Sequence, residues 1–375
     1  MTKIDFIYFD AGGGHRSAAT ALKSVIDSQG RPWEIRLVNL QEVLDSLDVF
    51  KKVTGIRLED IYNALLARGV TLGAAQMLRF MHSVIRLYHG PVVKMLTRHW
   101  AVTKPDLVVS LVPNFNRAMF ESLRAASPKV PYTTVLTDFA DYPPHFWIEP
   151  WQEQYFICGT DRAVAQAKAM GHSRTRIFQT SGMILRPKFY EPVAVDRAAE
   201  RKRLGLDPDL PVGLVLFGGQ GSRVMLDLAK RLDQTQLILI CGRNTRLAER
   251  LRALPVRAPH FVEGFTQEIP YYMHLSDFFI GKPGPGSISE AVAMKLPVIL
   301  ERNAWTLPQE RYNTEWVRER EVGLVLRNFQ GIHGACAELL GALRVYRANV
   351  AKIENRAVFE IPDMLASILA AKSPS

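Results

Sequence analysis

Two stretches of this chain repeat one local grammar, and that repetition limits the possible folds more than any other feature. The first is an apolar run from Ile4 to Phe9, then Ala11-Gly12-Gly13-Gly14-His15, then Ser17 to Ile26 with Ala18, Ala21, Leu22 and Val25 at helical spacing. The second is Val212 to Phe217, then Gly218-Gly219-Gln220-Gly221-Ser222, then a helical pattern through Met225, Leu228 and Leu232. A strand, a glycine-rich turn and a helix form the unit from which doubly wound sheets are built, so the recurrence predicts two Rossmann-like halves. Around them, short apolar runs at 107–111, 133–136, 155–158, 237–240, 278–280 and 297–300 alternate with helical segments. Apolar strands separated by helices predict an α/β chain with parallel sheets covered on both faces.

A length of 375 residues suits two domains. Prolines and a glycine between Gly182 and Val193 interrupt the rhythm and suit a hinge, which predicts an N-terminal domain over 1–185 and a C-terminal one over 186–355. Residues 356–375 read as a final helix, with Pro362 placed as its first residue. The three cysteines, Cys158, Cys241 and Cys336, are too scattered for a disulfide framework or a C-x-x-C zinc site, so a reducing cytosol is the default. The N-terminal run is too short for a signal peptide, and no stretch has the roughly 18–20 apolar residues of a membrane-spanning helix.

The charge is uneven. Lys and Arg outnumber Asp and Glu by 47 to 37, a formal +10, which points to a polyanionic partner: nucleic acid, an anionic membrane or a phosphorylated small molecule. A local +7 falls in residues 51–104, an insert of helical pattern. Within it, Met77, Phe80, Met81, Val84, Leu87 and Tyr88 line one face, while Arg79, His82, Ser83, Arg86 and His89 fall on another. Such a segment is either a packed surface helix with a solvated face or a docking element for an anionic leaflet, with Arg79, Arg86, Lys94 and Arg98 as the contacts. Aromatic platforms and RNA motifs are absent, which argues against a nucleic-acid partner.

Gly12-Gly13-Gly14-His15 is not a G-x-G-x-x-G fingerprint, because Ser17 stands at the third glycine, and no Walker lysine follows. It is either a tight turn or a ligand mouth. His15, at the end of the first strand, has the pKa range of a general base. The run Gly281-Lys282-Pro283-Gly284-Pro285-Gly286-Ser287-Ile288-Ser289-Glu290 follows an apolar strand and opens a helix whose first amides can seat a phosphate. Glu290, one turn further in, is either solvated or set to bridge the two hydroxyls of a ribose. Asp207-Pro208-Asp209 is the sole D-x-D and reads as a turn rather than a metal motif.

In order along the chain stand Gly12 to His15, Thr137-Asp138-Phe139 with His145 and Trp147, Gly182 to Pro187, Cys241-Gly242-Arg243-Asn244, Gly264-Phe265, Lys282 to Ala291, and Gln309-Glu310 with Asn313. Together they resemble the monogalactosyldiacylglycerol synthase and processive diacylglycerol glucosyltransferase group, relatives of the peptidoglycan lipid-intermediate N-acetylglucosaminyltransferase, over nearly the whole chain. The resemblance implies a GT-B fold: two facing Rossmann-like domains, the acceptor bound by the N-terminal one, a UDP-sugar by the C-terminal one, and a C-terminal helix crossing back.

Carried over residue by residue, the resemblance sets His15 and Asp138 at the acceptor as base or base partner, with Gly14, His145 and Trp147 beside them. It sets Phe265 by the uracil and Glu290 on the ribose. The amides of Gly219, Gly221, Gly284 and Gly286, with Ser287, hold the diphosphate, and Ser222 and Asn244 join the donor site. Gln309, Glu310 and Asn313 read the sugar. The implied activity is inverting hexose transfer to a lipid such as diacylglycerol, with no metal or bound cofactor, at the cytoplasmic face of a membrane. The alternative is a soluble enzyme of the same architecture, either a transferase to a water-soluble acceptor or a UDP-sugar epimerase. Leu307-Pro308-Gln309-Glu310 departs from the family's Pro-Gly-Gln-Glu, so the resemblance leaves the donor sugar open.

Overall fold

The apolar runs pair as parallel strands in two separate six-stranded sheets. The computed structural model describes residues 1–10, 14–45 and 87–371. Among these, 1–187 and 355–371 form one unit and 188–354 the other.

The first unit runs β1 (Thr2–Tyr8), α1 (Gly14–Ser28), β2 (Trp33–Asn39), α2 (Leu40–Leu44), α3 (His89–Thr103), β3 (Leu107–Ser110), α4 (Asn116–Ala126), β4 (Tyr132–Val135), β5 (Tyr155–Cys158), α5 (Asp161–Ala169) and β6 (Ile177–Gln179). Its sheet order is β2-β1-β3-β4-β5-β6, all parallel. β3 and β4 are buried along their whole length. One covering layer packs Leu96 and Trp100 of α3 and Met119 of α4 against Ile7 and Val108.

The second unit runs α6 (Arg197–Arg203), β7 (Val212–Leu216), α7 (Val224–Arg231), β8 (Gln236–Ile240), α8 (Thr245–Arg252), β9 (His260–Glu263), α9 (Ile269–His274), β10 (Phe278–Gly281), α10 (Pro285–Ala293), β11 (Val298–Glu301), α11 (Arg311–Glu319), β12 (Gly323–Leu326), α12 (Ile332–Gly341) and α13 (Leu343–Ala351). The order β12-β11-β10-β7-β8-β9 reverses direction between β7 and β10. In open parallel sheets ligands bind at that reversal, outside the carboxyl ends of the strands. The loops that leave β7 and β10 there are the two glycine-rich runs.

α14 (Ala357–Ala371) returns to the first unit and packs on α1, with Arg31 paired to Asp363. The sequence places Pro362 at the start of this helix; instead it lies inside it. Asn355 Oδ1 accepts from Ala357 N at 3.1 Å and starts the helix one turn earlier. The hydrogen bond lost at Pro362 is offset by burial of Val358, Ile361, Leu365 and the proline itself.

The basic insert of 51–104 is described only from residue 87. Arg79, Arg86, Gly12, Gly13 and the Met77 to Val84 stripe lie outside the described residues.

Candidate functional site

In the first unit, the carboxyl end of β1 delivers Gly14 and His15 as the opening residues of α1, and β4 delivers Thr137 and Asp138. Nδ1 of His15 lies 3.0 Å from Oγ1 of Thr137. The His15 ring stands 5.9 Å from that of Trp147, whose indole Nε1 donates to Oδ2 of Asp138 at 2.9 Å. His15, Asp138 and Trp147 therefore form one cluster. Burial pushes the His15 pKa down to about 4, against a small opposing pull from the Leu111 carbonyl. The imidazole is neutral at pH 7, the state a proton acceptor needs.

The segment carrying Trp147 is fixed by Asp141, which sequence reading passed over. Its fully buried carboxylate accepts from the backbone amides of His145 at 3.0 Å, Trp147 at 2.6 Å and Ile148 at 3.4 Å. Burial raises its pKa, and those three amides oppose the rise. An Asp just before Tyr142-Pro143-Pro144 is a turn signal, the one hint the sequence offers. His145 itself is an exposed residue at φ 65°, tied by its backbone rather than its ring.

In the second unit, three loops meet at the ends of β7, β8 and β9. A Cβ on Gly221 would lie 2.7 Å from the Cys241 carbonyl oxygen, and one on Gly242 2.3 Å from that of Gly219. Both residues also hold positive φ, so only glycine lets these loops touch. Arg243 N donates to Gly219 O at 2.9 Å, and Asn244 binds Gln220 O at 3.4 Å while capping α8 through Leu247 N. Ser222 Oγ accepts from Val224 N at 3.3 Å. Phe265, 56% exposed, lies under the Arg243 guanidinium, with 4.9 Å from Cζ to the ring centroid.

The loop after β10 is ordered from α11 and the turn before it. Asn313, fully buried, donates to Pro283 O at 2.8 Å, and Lys282 Nζ lies 3.1 Å from Oε1 of buried Glu310. Two assignments change here. The amides of Gly221 and Gly284 donate to Gly218 O at 3.1 Å and Lys282 O at 2.8 Å, so they are spent inside their loops. Gly286 and Ser287, in the first turn of α10 after the Gly284 cap, lack an intrahelical acceptor and remain available to an anion. Asn313 supports the loop and has no exposed surface to offer a sugar.

Gln309 and Glu290 are half-buried, on the one-turn helix before α11 and on α10. Lys282 carries no role in the sequence reading, although it immediately follows β10; its side chain is the cation that both glycine loops approach. A Cβ on Gly218 or Gly284 would lie 3.9 or 3.5 Å from its Cε. Lys94 and Arg98 sit on the exposed face of α3, apart from these clusters. Among the described residues, no group of three or more His, Cys, Asp or Glu is placed to hold a metal ion. Asp207 Oδ1 accepts from Asp209 N at 2.9 Å, making the D-x-D a turn.

No family model matches the chain. A probable chloroplastic monogalactosyldiacylglycerol synthase of Glycine max is 28% identical over 369 residues, covering 90% of this chain and 65% of that protein. Monogalactosyldiacylglycerol synthase 1 of Arabidopsis thaliana is 26% identical over 396 residues, 96% of this chain and 69% of its own length. The chain thus spans about two thirds of the length of such relatives.

Among solved structures, MurG of Acinetobacter baumannii superposes with a TM-score of 0.60 at 10% identity, covering 98% of this chain and all of that one. MnaA of S. aureus with UDP gives 0.60 at 15%, covering 100% and 99%. At those identities the superpositions speak to the fold. The chain carries the GT-B fold and is similar along most of its length to the monogalactosyldiacylglycerol synthases.

Proposed function

We propose that this protein is an inverting glycosyltransferase that moves a hexose from a UDP-sugar to a lipid hydroxyl, such as that of a diacylglycerol, at an anionic membrane surface. The observation that carries the reading is the convergence of both glycine loops, the first turn of α10 and Lys282 at the sheet reversal of the second unit. That array suits a diphosphate. The uridine donor is supported by solved relatives in fold bound to UDP or UDP-glucose, and the lipid acceptor by the names of the galactolipid synthases.

In the proposed reaction, neutral His15 accepts the proton of the acceptor hydroxyl as its oxygen attacks the anomeric carbon. The bond from that carbon to the UDP oxygen breaks with inversion, and the charge left on UDP falls to Lys282 and the amides of Gly286 and Ser287. Asp138 holds the Trp147 indole that flanks the imidazole. Phe265 offers a ring face to the base, and Glu290 two oxygens to the ribose. No divalent ion enters these steps, so chelation with EDTA is expected to leave turnover unchanged.

Thermal melting with UDP, GDP and TDP sugars tests the donor: a uridine nucleotide raises the transition temperature by mass action, and no shift with any uridine compound overturns the reading. The stabilising donor, incubated with diacylglycerol vesicles, should yield a glycolipid of inverted anomeric configuration. Retained configuration, or turnover restricted to water-soluble acceptors, overturns the corresponding part.

A further inference from the structure

Phe265 can face a nucleobase only if the turn that carries it, Gly264 to Thr266, is held in place. Glycine geometry does not hold it: Gly264 has no positive φ, and a Cβ there would meet only the Gly242 carbonyl oxygen, at an ordinary 3.9 Å. The restraint comes from the residue before. Glu263, the last residue of β9, accepts from Gly264 N through Oε1 at 2.8 Å and from the Tyr272 hydroxyl through Oε2 at 2.6 Å. Both bonds run to a carboxylate, which makes them roughly twice as strong as neutral ones. Tyr272 is itself fixed, 7% exposed in α9 and stacked on Phe261 with 5.9 Å between ring centroids. Burial and the Glu263 carboxylate push its phenol above the usual pKa, so it stays a donor. At the far end of the turn, Thr266 Oγ1 accepts from Glu268 N at 2.9 Å. The turn is tied at both ends, with Phe265 between.

The same residue also reaches the neighbouring loop. The Glu263 carbonyl accepts from the amide of Cys241 at 2.8 Å, two residues before Arg243, whose guanidinium covers one face of the Phe265 ring. The ring remains 56% exposed, which leaves its other face to a flat ligand. Stacking depends on the offset and separation of the two rings. A turn free to pivot would therefore lose the base contact while the anion seat, Lys282 with the first turn of α10, kept its own supports.

We propose that Glu263 is a positioning residue for nucleobase recognition: its carboxylate, shared between Gly264 and Tyr272, sets the Phe265 ring in the pose on which a base stacks. This rests on the uridine-donor reading and names the side chain that makes the base, rather than the diphosphate, count toward affinity.

The test compares a ligand that has a base, UDP, with one that has none, inorganic pyrophosphate, by calorimetric titration of the full chain. Glu263→Ala is expected to weaken UDP binding at least tenfold and to leave pyrophosphate binding within twofold of the wild type. With the preferred donor, KM should rise by a similar factor while kcat changes less than twofold, because a base contact is the same in the ground and transition states. Glu263→Gln should restore most of the affinity: its carbonyl oxygen still accepts from Gly264 N, and its amide still reaches the Tyr272 oxygen. Tyr272→Phe, which keeps the ring on Phe261, should show a smaller loss of the same kind, and it decides in place of Glu263→Ala if that variant does not fold. Wild-type UDP affinity in Glu263→Ala overturns the proposal. Equal losses for UDP and pyrophosphate also overturn it, since they make Glu263 a general support of the unit, as does a fall in kcat with KM unchanged. If the wild type binds UDP no tighter than pyrophosphate, the uridine reading falls too; if the wild type prefers UDP and Glu263→Ala keeps that preference, only the role of Glu263 falls.

Discussion

The ammonium of Lys282 lies 3.1 Å from Oε1 of Glu310, and this pair joins the glycine loop after β10 to the turn that opens α11. Glu310 is 7% exposed, so its carboxylate is costly to bury without a cation. Lys282, more open, keeps donors to spare for an incoming anion.

Lys282→Met should therefore weaken the UDP-induced thermal shift and lower kcat by about 10²–10³-fold, the range for removing one preorganised stabiliser of developing negative charge. Glu310→Gln keeps the shape and frees the ammonium, so the drop should be smaller. Steady-state kinetics with the preferred donor distinguish the two. Equal kcat in Lys282→Met and wild type would remove the lysine from the reaction.

The low pKa of His15 fixes the sign of a pH effect. With the pKa pushed from 6.5 to about 4, the free enzyme's imidazole stays unprotonated down to mildly acidic pH. The acid limb of kcat/KM should fall toward pH 4, and His15→Ala should remove that limb along with most of the turnover. For stability, the unfolded state binds the proton first, so His15 opposes folding as pH falls from 6.5 toward 4 and costs nothing above 6.5. An acid limb centred at 6.5 would count against the buried, neutral imidazole.

Asp141 is a positioning residue whose removal should show first in stability. Asp141→Ala leaves the amides of His145, Trp147 and Ile148 without their acceptor, and an orphaned buried donor costs about 1–3 kcal/mol. Loss of several degrees in Tm is expected, with a smaller loss in Asp141→Asn, which keeps an acceptor oxygen. Because Trp147 carries the bond to Asp138, turnover should fall while the UDP-induced shift, read in the second unit, stays intact.

These residues also mark how far the sequence could be read. The eight strands legible as apolar runs are the inner strands of the two sheets, buried on both faces. The four that were not, β2, β6, β9 and β12, are the four sheet edges. β2 alternates between buried and open positions, and β6 has no buried residue. An edge strand has less apolar surface to hide, so its pattern fades into that of a loop.

At the site, Gly221 was legible as a loop glycine because the backbone dictates the residue type there, whereas Gly242, which the backbone constrains as tightly, entered only through the family resemblance. The Gly221 and Gly284 amides are spent on carbonyls three and two residues back, a turn geometry that residue type alone does not disclose, whereas the support role of Asn313 and the pairing of Lys282 with Glu310 depend on neighbours distant in sequence. Pro362 misled for a related reason: Asn355 capping and burial outweigh a proline's preference for the first turn.

At the other end of the second sheet, Asp277 ties three arginines to one strand. Its carboxylate meets Arg197 at 2.9 Å, Arg201 at 2.7 Å and Arg347 at 2.6 Å, and accepts from Val212 N at 2.8 Å. Burial alone would raise its pKa, but the Val212 amide and the arginines outweigh burial and hold it below the usual 3.8. A depressed carboxylate contributes stability that is present above the unfolded pKa and is lost as pH falls below it. Acid unfolding of this unit should therefore steepen below about pH 4 in the wild type and flatten in Asp277→Asn.

Asp277→Ala leaves Arg201, only 4% exposed, as an uncompensated buried charge, a change that costs about 3–5 kcal/mol. Arg347→Ala removes the most exposed of the three cations and should cost far less, because Arg197 and Arg201 remain. Urea unfolding of the two variants at pH 7 checks the order; similar losses would mean that Arg347, rather than Arg201, governs the network.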